Sequence, residues 1–233
     1  MTWLDDLTSV AHQGLDERAT DVFLARGVSE AQLATYQLGY LSRLPDLDYS
    51  PSFRAWVEQR PPVQDVMVLP LTNTLGTIRG VQFRTVTRGK SSPYSDFLDG
   101  VDEPVLFGLG QAMSHVWGTR SIFLVEGGFD LFPVQRVTAG VVATLTARIT
   151  SSLVRVLRRL VDRIWIGYDA DPTGQSATNY FIKHYGREFD VRAVRYPQVP
   201  MVGTAKLTKD PGDLWETWGD GRFQEFMRPL LGA

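Results

Sequence analysis

The stretch 164–181, IWIGYDADPTGQSATNYF, ends a short apolar run in two carboxylates one residue apart, Asp169 and Asp171. If the strand runs on through them, side-chain alternation points both the same way, about 7 Å apart. Like charges held that close repel unless a cation lies between them or one takes up a proton. No basic residue stands beside them in the sequence. Asp, Pro and Gly also form turns, and Asp caps helices, so an acidic turn is the plain alternative. A divalent metal at the carboxyl end of a parallel strand is the chemical one. Two further acidic elements repeat the pattern. VEGGFD sets Glu126 and Asp130 four residues apart across a strand-to-helix turn, and KDPGDL sets Asp210 and Asp213 around a Pro-Gly turn. Six acids on one rim destabilise a fold unless cations bind there.

The available donors narrow the ion. The chain has no cysteine, which excludes disulfides, a thiol nucleophile and Cys-ligated zinc. Its histidines, His12, His115 and His184, are scattered. Oxygen donors remain, so the expected ion is Mg²⁺ or Mn²⁺, with no zinc. Setting the six candidate carboxylates aside turns the formal net charge of −2 positive. Overall charge therefore does not argue against a nucleic-acid partner. Arg79, Arg84, Arg88 and Lys90 gather before position 91, where a basic face could hold phosphate groups.

These residues need elements to position them. With 233 residues, 43% hydrophobic and 21% charged, the chain has the size and composition of a soluble globular protein of one or two domains. No apolar run reaches the ~18 residues of a membrane span, so no membrane partner is expected. The start lacks a basic-then-apolar leader, and a cytoplasmic location is expected. Short helices are predicted before residue 38, with Ser29 as a cap, and another around SFRAWVEQ. DVMVLPLTNTLGTIRGVQFRTV reads as a hairpin, with Pro70 implying an edge or a bulge. TRGKSSPYSDFLDGVDEP reads as loop. From 120 onward, strand and helix patterns alternate: SIFLV, LFPVQRV, GVVATL, ITSSLVRVLRRLVD, RIWIGYDAD, TGQSATNYFIKHYG, FDVRAVRYP and the helix after KDPGDL. That alternation predicts a mainly parallel α/β sheet. A boundary near 119 divides an amino-terminal α+β lobe, 1–119, from a catalytic lobe, 120–233, with a short helical tail.

Glu-Gly-x-x-Asp, then Asp-x-Asp, then Lys-Asp-Pro, in this order on an α/β pattern, resembles the Toprim domain of DnaG-type primases, topoisomerases and some nucleases. ATLTARIT at 143–150 resembles the small-residue segment that the primases carry between the first two motifs. FLARGVSEAQLATYQLGYLS, VLPLTNTLGTIRGVQFR and VLFGLGQA resemble segments of the lobe that precedes their Toprim part. The likeness covers about residues 15–216.

The resemblance implies a Toprim-type sheet with helices on both faces behind a smaller α+β lobe with a β-hairpin. It further implies a primase catalytic core making short RNA primers on single-stranded DNA from nucleoside triphosphates. For joining nucleotides, two divalent ions are expected; Asp130, Asp169, Asp171 and Asp210 would hold them, Asp213 more weakly, and Glu126 would be a general base or further ligand. Arg84 matches the family's hairpin arginine, and with Arg79, Arg88 and Lys90 it could hold template or triphosphate. A Toprim nuclease and a non-catalytic nucleic-acid or replisome binder are the alternatives. The chain departs from the family in its loop, where Lys90 is the only lysine and Asp102 or Glu103 takes a second basic position, and at Gly212, which replaces an acid. No zinc ribbon or helicase-docking module is recognisable, so a helicase or separate initiation protein is an expected partner.

Overall fold

The computed structural model describes residues 2–60, 62–73, 75–86, 94–99, 105–201 and 203–232. Arg88 and Lys90, and with them Asp102 and Glu103, lie outside the described residues. The chain divides into two compact units, Met1–Val105 and Leu106–Ala233.

The first unit holds α1 (Trp3–Gln13), α2 (Glu17–Leu24), α3 (Glu30–Thr35), β1 (Gly39–Arg43), α4 (Pro51–Glu58), β2 (Gln64–Thr72), β3 (Ile78–Thr85) and β4 (Tyr94–Leu98). Its four strands form an antiparallel sheet in the order β1-β2-β3-β4. Ser29 caps α3 through a reciprocal bond with Gln32, as the sequence predicts. Leu4, Leu7 and Ala11 of α1 pack with Phe53, Val68, Val81, Phe83 and Phe97 into one core. The expectation of an edge strand at Pro70 is corrected: β2 lies between β1 and β3. Pro70 is tolerated there because β1 pairs only as far as Val68, so the missing N–H falls beyond the end of β1. The register shifts one residue later, between Leu71 and Thr72. β4 also corrects the loop reading of its segment; pairing with β3 and burial of Phe97 outweigh weak local alternation.

The second unit runs α5 (Leu109–Thr119), β5 (Ser121–Val125), α6 (Leu131–Gln135), β6 (Val141–Ala143), α7 (Ser151–Leu160), β7 (Arg163–Gly167), α8 (Pro172–Tyr185), β8 (Asp190–Ala193) and α9 (Pro211–Leu231). Its strands are all parallel, in the order β6-β5-β7-β8. β5 is buried at every position, which is why it reads as an unbroken apolar run. Ile122, Leu124, Ile164 and Ile166 turn to one face and pack with α5, α7 and α8. Phe123, Val125 and Trp165 alternate to the other face, on which α6 packs against β6 and α9 against α6. α5 joins this core through Leu109, Ala112, Met113 and Val116, so the compact units meet one helix before the boundary at 119. α9 breaks at Gly219, whose φ of 74° is a left-handed conformation that favours glycine.

The strand order fixes where chemistry can occur. From β5 the chain crosses to β6 on one side, then returns past it to β7 on the other. The turns leaving β5 and β7 therefore diverge and open a crevice at their carboxyl ends. Glu126 and Asp130 follow β5, and Asp169 and Asp171 follow β7.

Candidate metal centre

Asp130, Asp169 and Asp210 each present a carboxylate oxygen within 4.8 Å of the others. Each arrives by a different route. β7 ends at Gly167, two residues before Asp169, so strand alternation no longer governs the Asp-x-Asp pair. Asp169 is buried beside the sheet end, whereas Asp171 turns to cap α8, accepting from the Gly174 N–H at 3.0 Å. The expected same-face pair is thus split, and Asp171 lies outside the three-oxygen group. Asp210 caps α9 in the same manner, accepting from the Asp213 N–H at 2.6 Å. The Asp213 carboxylate accepts instead from the Lys209 N–H at 3.3 Å, and also stays outside the group. The caps that Asp171 and Asp210 form match the acidic-turn reading, while Asp130, Asp169 and Asp210 also come together as a three-carboxylate group.

Asp130 is held by backbone. Its Oδ2 accepts from the Gly127 N–H at 3.0 Å and its Oδ1 from the Gly212 N–H at 3.3 Å. A Cβ at Gly127 would stand 2.5 Å from Oδ2, and one at Gly212 would stand 2.9 Å from Oδ1. A side chain at either position would displace the Asp130 carboxylate from its present place. Gly212, a departure from the motif that the sequence resembles, thus supplies a donor to the acid of another motif.

The sequence also places no cation beside Asp169, and here the fold corrects it. The Lys209 ammonium donates to Asp169 Oδ2 and lies 3.9 Å from Asp210 Oδ2. Burial opposes charging Lys209, but the hydrogen bond to Asp169 and the charges of Asp169, Asp210 and Asp130 raise its pKa. The Lys209 carbonyl accepts from the Ala170 N–H at 2.6 Å, tying the second motif to the third. The lysine of Lys-Asp-Pro was visible in the sequence, but its side chain meets Asp169 across 40 residues, which no local pattern reveals.

Glu126 sits beside the group. Burial, then the charges of Asp169 and Asp171, push its carboxyl up to about 7. Its Oε2 is buried with no hydrogen-bond partner among the described residues. Burial and then Asp213 push Asp210 up to about 7 as well. Burial also raises Asp213. Carboxyls raised this far either take up protons or bind positive charge, and Lys209 supplies one such charge.

The residues fit a divalent cation. Oxygens bound to one Mg²⁺ at ~2.1 Å lie at most ~4.2 Å apart, so the three donors need close by only tenths of an ångström from their 4.8 Å limit. All are carboxylates, the donors a hard ion prefers. Arg79 and Arg84 stand on β3 of the first unit, Arg79 exposed and Arg84 half-buried on the face opposite the Val81–Phe83 core.

Comparison with known proteins follows the same lines. Residues 123–205, which carry the first two acidic motifs, match the Toprim-like family. The chain is 27% identical to the DNA primase of Treponema pallidum (strain Nichols) over 72% of its own length and 31% of that protein's. It is 27% identical to the DNA primase of Staphylococcus aureus (strain MRSA252), over 96% of its own length and 33% of that protein's. Its fold superposes on the zinc-binding and RNA polymerase domains of the Aquifex aeolicus primase with a TM-score of 0.74, at 22% identity, covering 99% of this chain and 59% of that one. It superposes on a DnaG primase catalytic domain bound to single-stranded DNA with a TM-score of 0.72, at 19% identity, covering 97% and 79%. The chain has the fold of a DnaG primase catalytic core. It spans about a third of the length of these two curated relatives. Within that primase-core fold, the acidic crevice lies at the carboxyl ends of the Toprim-type sheet. Among the described residues no helix is long and apolar enough to cross a membrane.

Proposed function

We propose that the chain is the catalytic core of a DNA primase, a nucleotidyltransferase that joins ribonucleotides on a single-stranded DNA template. The observation that carries this is the convergence of Asp130, Asp169 and Asp210 at the switch point of a primase-core sheet. These three would hold Mg²⁺ or Mn²⁺, with Glu126, Asp171 and Asp213 reaching a second ion or its water. When bound, such ions stabilise the attacking and leaving oxygens of an in-line displacement at phosphorus.

The chain's own residues prepare that chemistry. The Gly127 and Gly212 amides hold Asp130 in one orientation, and the caps of α8 and α9 fix Asp171 and Asp210 before any ligand arrives. Glu126, held near neutrality by its surroundings, can take the proton of an attacking 3′-hydroxyl at physiological pH. Lys209 offsets the acids and orients Asp169. Arg79, Arg84, Arg88 and Lys90 would hold template or triphosphate by charge. Nucleoside triphosphates and a template are thus the substrates, and a helicase or separate initiation protein is the partner that selects start sites. Work of this kind belongs in the cytoplasm.

The test is a gel. The purified chain incubated with single-stranded template, labelled nucleoside triphosphates and Mn²⁺ should give new oligonucleotides that disappear in Asp169→Asn. Shortened template in place of new strands would assign a nuclease, and neither product would leave a binding protein.

A further inference from the structure

A second concavity of the Toprim-type unit lies outside the three-carboxylate group. It begins at Glu126, passes over the segment 146–149 after β6, and follows the first half of α8 to Tyr180. Its volume is about 650 Å³, within the ~300–1,000 Å³ of ligand sites. The lining is specific in kind. Thr146, Thr173 and Ser176 offer hydroxyls, Arg148 offers one guanidinium, and Tyr180 offers one aromatic ring.

Arg148 is exposed, and its guanidinium makes no ion pair or hydrogen bond among the described residues. Other exposed arginines of the unit, such as Arg155 and Arg159, share this freedom, but among the described residues Arg148 is the arginine that lines the groove. Tyr180 is 48% exposed, far more than a core aromatic. Its ring is nonetheless braced, lying 4.2 Å from the His184 ring one helical turn on, tilted by 34°. A braced, half-exposed ring beside an unpaired arginine matches the way proteins grip single-stranded nucleic acid, by stacking a base and neutralising a phosphate.

The stoichiometry selects the occupant. A nucleoside triphosphate brings several negative charges and needs several cations, which this groove lacks. One guanidinium, one ring and a few hydroxyls match one nucleotide within a strand, with its single phosphate, its base and its sugar. The head of the groove is Glu126, next to Asp169, so a strand lying here directs an end into the acidic crevice. We propose that this groove seats the 3′-terminal nucleotide of the strand being extended, with its phosphate on Arg148 and its base on Tyr180. The proposal rests on the primase reading above and adds the site that holds the growing end.

The experiment uses the full chain and short ribo-oligonucleotides carrying 2-aminopurine at the 3′ end, at the 5′ end, or in the template strand. Stacking on Tyr180 should quench the 3′ label alone. Tyr180→Ala should abolish that quenching and weaken oligonucleotide binding roughly tenfold, as loss of one base–aromatic stack does, and Tyr180→Phe should retain both. Arg148→Ala should raise the KM for primer and leave the KM for nucleoside triphosphate unchanged. Quenching that follows the 5′ or template label would overturn the proposal, as would Tyr180→Ala with unaltered quenching. If the chain extends no primer, the primase reading falls, and the fluorescence titration still decides what the groove binds. Tyr180 and Arg148 are exposed, so circular dichroism of the variants should match the parent.

Discussion

Replacing Asp210 with Asn separates the cost of the acidic crevice from its use. The substitution keeps the oxygen that accepts from Asp213 at 2.6 Å, and Asn caps helices as well as Asp does. It removes a carboxyl that burial, then Asp213, pushes from 3.8 up to about 7. At about 1.36 kcal/mol per unit, three units set a ceiling of roughly 4 kcal/mol on the destabilisation from ionising it in the folded state. Lys209, 3.9 Å away, loses an attractive partner in the variant, and Asn must itself be desolvated, so about half of that ceiling should be recovered. A carboxyl raised on folding contributes stability below its unfolded pKa and loses that contribution as pH rises through about 7. In EDTA, therefore, the melting temperature of the parent should fall between pH 6 and pH 8.5. Asp210→Asn should fall less and melt higher at pH 8.5, by about 4–8 °C for a recovery of ~2 kcal/mol. Glu126, also raised to about 7, should leave a residual slope in the variant. Mn²⁺ should raise the melting temperature of the parent more than that of the variant. Scanning fluorimetry at both pH values settles it; equal slopes, or a variant that melts lower at pH 8.5 in EDTA, would refute the reasoning.

Gly127→Ala should push Asp130 aside, because its Cβ would stand 2.5 Å from Oδ2, and Mn²⁺ binding by calorimetry should weaken at least tenfold while circular dichroism is retained. Lys209→Met removes the internal counter-charge of Asp169; its melting temperature in EDTA should drop by several degrees and Mn²⁺ should restore most of the loss, whereas a loss that Mn²⁺ leaves untouched would assign Lys209 to packing alone. Glu126→Gln should lower primer synthesis while circular dichroism is retained, and an unaltered rate would remove Glu126 from the chemistry. Arg84→Glu should weaken single-stranded DNA binding and flatten its salt dependence by about one unit of slope; an unchanged slope removes Arg84 from the binding surface.

The alternation of strands and helices after residue 120 was legible because each buried strand of a parallel sheet reads as an apolar run and every helix but α6 carries its own side-chain cap. Thr150, Asp171 and Asp210 announce three of those helices. β4 was not legible, since a five-residue strand at a sheet edge takes its conformation from its partner. The crevice was legible as a set of acids but not as a geometry. Spacing alone treated Asp169 and Asp171 as equivalent, yet the strand stops at Gly167 and helix capping takes Asp171 away. Lys209 and Gly212 escaped for another reason: their partners, Asp169 and Asp130, are 40 and 82 residues distant, and contacts of that range leave no trace in one sequence.

The capping of α8 and α9 by Asp171 and Asp210 bears on how such a chain could drift. A helix start accepts Asp, Asn or Ser almost equally, whereas a hard cation distinguishes sharply between a carboxylate and an amide or hydroxyl. Folding alone therefore places little constraint on which of these residues stands at the two caps. A descendant with Asn or Ser at both would keep its helices and its superposition on primase cores, would melt no lower in the absence of metal, and would have lost its ions without any visible scar in the backbone. In chains of this shape, the identity of two helix caps says more about whether chemistry persists than any measure of overall likeness.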